Sequence, residues 1–304
     1  MTYKRMTLKN AVGLAAPHTW TASVFPVLLG TLLSAVLTGQ FKAPVFWLLL
    51  CAAVLLQSSV NTFNDYYDFV KGTDLKENSD EPADAVLIYN DIDPKHVLRL
   101  GSLYMGTAAL FGLYPIYRGG LGTFLLGAVG CLVILAYSAG KHPISYLPLG
   151  ELVSGGVMGG LLPTAVFSAF AGYIDLRVLP LSVPLIVGIG LIMMTNNTCD
   201  IERDRRSGRR TLPALLGRSA ARRLYRLLAG VWVLSMLALV LLCFPKGALP
   251  AASVLAMSGP ALARLFLSPL VPERRGPCMG VVTRAMIGLS CSYLAGIAGH
   301  ILFE

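Results

Sequence analysis

The chain has 304 residues, of which 55% are hydrophobic and only 13% charged, with a mean hydropathy of +0.66 and a formal net charge of +9. Charged residues make up about a quarter of an ordinary soluble domain, so this composition excludes a water-soluble globular enzyme and points to an integral membrane protein. The positive balance lies in loops beside apolar runs, where anchoring next to anionic lipid accounts for it and no nucleic acid is needed.

Nine long, nearly charge-free runs follow one another at 16–38, 44–64, 97–117, 119–137, 149–170, 179–199, 224–244, 247–267 and 278–302. At about 20 residues per crossing they use up most of the chain. The expected architecture is therefore all-α, a single domain over 1–304 with nine transmembrane helices in one bundle around a central cavity. The first run is too long for a signal-peptide core and has no small-residue cleavage site, so it is read as a retained helix. When nine spans alternate sides, Lys4, Arg5, Lys9, Lys71, Lys76, Lys95, Arg99, Lys141, the Arg-rich stretch 203–226, Arg264, Arg274 and Arg275 fall together. Only Lys42, Arg118, Arg177 and Lys246 fall opposite. The positive-inside rule then places the N-terminus in the cytoplasm and the C-terminus outside, in a multi-pass protein of the cytoplasmic (inner) membrane. The six cysteines stand singly in or beside apolar runs and the four histidines form no ligand pattern, so neither disulfides nor a zinc site are expected.

Two apolar runs end in carboxylates: "NTFNDYYDFVKGTD" at 61–74 and "TNNTCDIERD" at 195–204. If each helix continues through its polar end, Asn61, Asn64 or Asp65, and Asp68 share one face, and Asn197, Asp200 and Asp204 share another. These are C-terminal helix ends, where the macrodipole disfavours anions, and a carboxylate in the bilayer costs on the order of 3 kcal/mol. Something positive must offset that. An oxygen-only set of Asn and Asp, without Cys or His, favours a hard cation, and carboxylates that leave room for water and phosphate favour Mg²⁺ over a closed Ca²⁺ cage. Both motifs lie on one side and both precede basic residues: Lys71 in one case, Arg203, Arg205, Arg206, Arg209 and Arg210 in the other. A ligand that wants metal on its oxygens and cations on its remaining charge is a diphosphate. The competing reading is two ordinary polar helix exits solvated by water.

"NDYYDFVKGTD" and "NNTCDIERDRRSGRRTLPALLGR" resemble the two Asp-rich signatures of the UbiA superfamily of intramembrane aromatic prenyltransferases, which have nine transmembrane helices. "YSAGKHPISYLPLGEL" at 137–152 and "TASVFPVLLGT" at 21–31 are similar to the branch that prenylates 1,4-dihydroxy-2-naphthoate on the way to menaquinone. The resemblance implies transfer of a polyprenyl group from an allylic diphosphate to an aromatic acceptor, with Mg²⁺ and basic side chains stabilising the leaving group. It implies Asp65, Asp68, Asp74, Asp200 and Asp204 as metal-holding residues, the four other than Asp74 catalytic, helped by Asn64 and Asn197. Lys71, Lys141, Arg203, Arg209 and Arg210 would clamp the diphosphate, and Tyr137 and Tyr146, with Tyr66 and Tyr67, would shield the cation. No obligate protein partner is evident.

Three departures from the branch stand out: Cys199 where Arg usually precedes the first Asp of the second motif, "APHTW" where Arg-Pro is common, and the acidic "SDEPADAVLIYNDIDPKHV" after the first motif. They bear on the acceptor more than on the diphosphate end, so other acceptors, 4-hydroxybenzoate among them, stay open. "GELVSGGVMGGLLP" reads as a tunnel wall or as small-residue helix packing, the latter preferred, and Arg284 as a snorkelling cation. The rival class is a cation-coupled transporter, whose site belongs near the midplane on broken helices.

Overall fold

The computed structural model describes residues 3–72 and 86–303. Among these the secondary structure is helical throughout, apart from one isolated bridge between Lys4 and Ile92. By length and composition seven helices can cross a membrane: Thr21–Thr38, Ala43–Val70, Pro94–Ser138, Gly150–Ala171, Arg218–Cys243, Pro245–Leu267 and Pro272–Leu302.

The difference from nine expected spans has two physical sources. The runs at 97–117 and 119–137 fall within one continuous 45-residue segment, which as a straight helix would be about 68 Å long, more than twice a hydrocarbon core. It is not straight. Gly120 takes φ 71°, ψ −159°, a backbone state that L side chains avoid. Ser59 donates to the Gly101 carbonyl at 2.9 Å, and Ser138 donates to Asn64 at 3.1 Å. Residues 101 and 138 therefore meet the same end of the 43–70 helix, although a straight helix would hold them roughly 55 Å apart. The segment doubles back at Gly120. The second source is Val183–Cys199, an apolar helix of 17 residues.

Local chemistry sets the helix boundaries. Pro occupies the first turn of the helices at 43, 94 and 183, where its missing N–H is not needed. Gly39 and Gly172 end the 21–38 and 150–171 helices in the left-handed conformation. Between 155 and 161 the helix widens to i→i−5 turns, and the Leu162 N–H reaches the Val157 carbonyl. Pro163 cannot donate to Gly159, so this glycine-rich turn has lost one ordinary bond in any case.

The main core joins the 21–38, 183–199, 218–243, 248–267 and 275–302 helices around Trp232, Tyr225, Tyr293 and Phe167. Gly155 and Gly159 let the 150–171 helix approach the 183–199 backbone. A Cβ there would lie 2.4 Å from the Ile186 carbonyl oxygen and 2.5 Å from the Ile186 nitrogen. These two glycines serve small-residue packing, as preferred above. The 94–138 segment instead exposes Leu103, Leu110, Leu113, Leu121 and Leu132, a surface suited to lipid contact. Arg284 is exposed on the last helix, with its guanidinium lying back over Gly280 toward the helix start. The described cysteines are all free.

Candidate active site

The 43–70 helix runs unbroken through the first motif, as its sequence predicts. Asp68 is 5% exposed. Its Oδ2 accepts from Asn64 Nδ2 at 3.1 Å, one turn back, and its Oδ1 accepts a charged hydrogen bond from Arg209 Nη2. Asn64 Oδ1 in turn accepts from the Ser138 hydroxyl, and Lys71 Nζ donates to the Ser138 carbonyl at 2.7 Å. Thus the end of the doubled-back 94–138 segment fixes both the amide and the ammonium. Burial lowers the Lys71 pKa from its ordinary value, against the pull of Asp68.

Asp65 points elsewhere. Its Oδ2 accepts from the Val86 N–H at 3.0 Å and its Oδ1 from the Leu87 N–H at 3.3 Å. Those donors open the short Val86–Tyr89 helix, whose Val86, Leu87 and Ile88 are buried with Leu14, Ile92 and Val97 against Tyr66 and Phe69. The expected stripe therefore splits: Asn64 and Asp68 meet at i, i+4, Asp65 holds the segment that follows the motif, and Asn61 donates to the Ala15 carbonyl and to Thr19. Asp74 lies outside the described residues.

At the second motif the helix does not continue. It ends at Cys199, Asp200 takes φ −95°, ψ 14°, and a new helix runs Ile201–Arg206. The break puts Asp204 in the first turn of a helix, the end where a carboxylate is welcome. Asp204 is 3% exposed and accepts from Thr211 Oγ1 at 2.8 Å. Burial pushes its pKa up to about 6, with the Thr211 bond pulling the other way. Asp200 accepts from Arg275 Nε at 3.1 Å, and Arg203 Nη1 lies 4.0 Å from it. Arg275 also donates to Asn196. Cys199 is fully buried beside Cys278 in the core, and it is Arg275, from the last helix, that brings a guanidinium to this aspartate.

Tyr146 ties the two motifs together. Lys71 Nζ lies 4.9 Å and the Arg209 guanidinium 4.8 Å from its ring centre, and its carbonyl accepts from the Arg210 N–H at 2.9 Å. Lys71 also lies 5.4 Å from the Tyr67 ring centre. Lys141 and the Arg210 side chain are exposed nearby in sequence to these contacts. Two groups were not singled out in the sequence: Arg275, counted there only as a topology signal, and Glu151, whose Oε1 accepts from Asn197 Nδ2 at 2.9 Å. Glu151 stands at the end of the 137–152 stretch and is a lone acid opening a long apolar run.

Among the described residues no three His, Cys, Asp or Glu side chains form a cluster that alone would hold a metal ion. The oxygens of Asn64, Asp68, Asp200 and Asp204, buried or half-buried and with no thiol or imidazole among them, nevertheless suit Mg²⁺, which takes one or two carboxylates and completes its shell with water and phosphate.

The sequence profile of the UbiA prenyltransferase family matches residues 23–276. A 1,4-dihydroxy-2-naphthoate octaprenyltransferase of Bacillus subtilis (strain 168) is 35% identical over 208 residues, covering 68% of this chain and 66% of that protein, just under two thirds of its length. An apo UbiA homologue from Aeropyrum pernix K1 superposes with a TM-score of 0.64 at 19% identity, over 92% of this chain and 97% of the other. A UbiA homologue from Archaeoglobus fulgidus bound to DMAPP and Mg²⁺ gives 0.62 at 14% identity, over 94% and 99%. The family profile covers well over half of the sequence, and the chain belongs to the UbiA prenyltransferase family.

Proposed function

We propose that this protein is a Mg²⁺-dependent prenyltransferase that moves a polyprenyl group from an allylic diphosphate to an aromatic acceptor, 1,4-dihydroxy-2-naphthoate, giving demethylmenaquinone. The observation that carries this reading is the contact between Asp68 and Arg209, which joins the two acidic motifs through largely buried side chains, with Lys71 and Arg209 both lying against the ring of Tyr146. Carboxylates and cations held side by side match a ligand that carries both metal and anionic oxygen. The Bacillus relative supports the choice of acceptor, and the Mg²⁺ and DMAPP held by the Archaeoglobus homologue support the donor class.

In this reading Asp68, Asp200 and Asp204, with Asn64 and Asn197, hold Mg²⁺, and Asp65 and Asp74 support that set. When bound, the ion neutralises charge developing on the departing diphosphate. Lys71, Arg203, Arg209 and Arg210, with Lys141, clamp the diphosphate oxygens, while Tyr137 and Tyr146 present ring faces to the allylic cation. The protein contributes position and charge and no nucleophile of its own. An apolar cleft of about 440 Å³ between Leu28, Leu32, Phe46 and Leu294 offers surface for part of an isoprenoid tail. Nine crossings, with the acidic ends facing the cytoplasm, complete the proposal; the basic residues flanking both motifs support that orientation.

The test is incubation of purified protein with Mg²⁺, a labelled polyprenyl diphosphate and a panel of aromatic acceptors, with products identified by mass. A prenylated naphthoate product that vanishes on chelation is expected. Product with 4-hydroxybenzoate alone would replace the acceptor, and absence of any prenylated product would remove the reading.

A further inference from the structure

Glu151 opens the 150–171 helix and is 8% exposed. One carboxylate oxygen, Oε1, accepts from Asn197 at 2.9 Å; the other, Oε2, is buried without a hydrogen-bond partner among the described residues. An unpaired acceptor of this kind is costly to bury, the more so when it carries charge. Among the described residues its one side-chain partner is the neutral Asn197 amide, so its pairing differs from that of Asp68 and Asp200, which both sit against guanidinium groups.

Its position is informative. Asn197, which holds Oε1, precedes Asp200 by one turn. Tyr137 lies within electrostatic reach of Glu151, Asp68 and Arg209 together, and its hydroxyl stands 3.6 Å from where a Cβ on Gly150 would lie. Glu151 therefore borders the same site as the Asp68–Arg209 pair, but on a wall where, among the described residues, no cation is paired with it. That wall repels phosphate and carboxylate and asks for a neutral donor.

We propose that Glu151 Oε2 binds a ring hydroxyl of the aromatic acceptor, and that Asn197, by fixing Oε1, is the positioning residue for this contact. The inference rests on the prenyl-transfer reading for the identity of the acceptor, but its contact can be measured without turnover. A hydroxyl that donates to a carboxylate passes electron density into its ring, which is what attack on an allylic cation requires. In that attack the allylic C–O bond breaks, with its electron pair leaving on the diphosphate. A ring carbon supplies the pair for the new C–C bond, and the group it replaces departs without its bonding electrons. Glu151 also sets specificity: an acceptor with a hydroxyl toward this wall is favoured, and one with a carboxylate or an ether there is rejected.

The experiment uses full-length protein in detergent with Mg²⁺ and a non-cleavable prenyl diphosphonate. Equilibrium binding is measured for 1,4-dihydroxy-2-naphthoate and for its 1,4-dimethoxy ether. The wild type is expected to prefer the dihydroxy compound by about tenfold to a hundredfold, the range for a hydrogen bond to a charged group. Glu151→Gln should reduce that preference to about threefold or less while diphosphonate affinity stays within about twofold, and Glu151→Asp should retain part of it. If Glu151→Gln does not fold, Glu151→Asp and the wild-type ligand pair still decide. Equal binding of the two compounds by the wild type, wild-type failure to bind either, or an unchanged preference in the variant would each overturn the proposal. A wild type that discriminates but transfers no prenyl group would instead remove the prenyl-transfer reading and leave the Glu151 contact standing.

Discussion

At the end of the 43–70 helix the Asn64 amide donates to Asp68 and two backbone N–H groups donate to Asp65, while the Arg209 guanidinium reaches Asp68 from far along the chain. At 200–204 the helix breaks, the Arg203 and Arg275 guanidinium groups gather at Asp200, and Asp204 accepts from the Thr211 hydroxyl. The first end keeps its helix and turns one carboxylate away to hold the following segment. The second gives up its helix so that a carboxylate can sit at a favourable N-terminus. Like motifs in sequence are thus unlike in mechanics, with Asp68 acting as the joint between them.

The largest expected effect breaks that joint. Asp68→Ala should lower prenyl transfer by about 10²-fold or more, measured as turnover at saturating Mg²⁺, because it removes a proposed oxygen ligand and leaves Arg209 without this partner. Unchanged turnover in a folded variant would break the comparison. Next, Arg209→Ala should cost roughly tenfold to a hundredfold in kcat/KM and reduce thermal stability as well. Both Asp68 and Arg209 are largely buried, and removing one partner of such a pair strands the other.

A pH series separates the two ends more finely. Burial holds the Asp204 pKa at about 6, above the ordinary carboxylate range, so a proton must leave before this group can serve a cation. Apparent affinity for the Mg²⁺-diphosphonate complex should fall by up to about tenfold per pH unit below 6, and Asp204→Asn should flatten that dependence. By the same linkage the folded metal-free protein binds this proton more tightly than the unfolded chain. The contribution of Asp204 to stability is therefore complete below about 4 and is lost as pH rises through about 6. The smallest effect belongs to Asp65→Asn, which should change turnover only severalfold while speeding hydrogen exchange at the Val86 and Leu87 amides; exchange left as in the wild type would show that Asp65 does not hold that segment.

Much of this was legible in the sequence. The apolar runs, the acidic ends and the basic residues after them follow from hydropathy and charge alone, and Asp68, Lys71 and Arg209 do meet. What the sequence could not supply was direction. Periodicity places Asp65 beside Asp68 on a helix, but which carboxylate faces the site depends on where residues 86 and 87 return. Helix continuation through Asp200 was a reasonable extrapolation that lost to packing, and Arg275 could reach Asp200 only because the last helix docks there. Glu151 stands inside the 137–152 stretch, yet nothing in its spacing sets it apart, and its meaning depends on an amide 46 residues away.

The Asp68–Arg209 contact spans 141 residues of chain. During synthesis the first motif is therefore made long before its guanidinium exists, and it must wait in water or against lipid headgroups until the 200s have emerged and docked. Competence is consequently a late event in biogenesis, set by long-range loop closure rather than by insertion of the early helices. Any fragment that stops short of residue 209 carries Asp68 without its guanidinium partner.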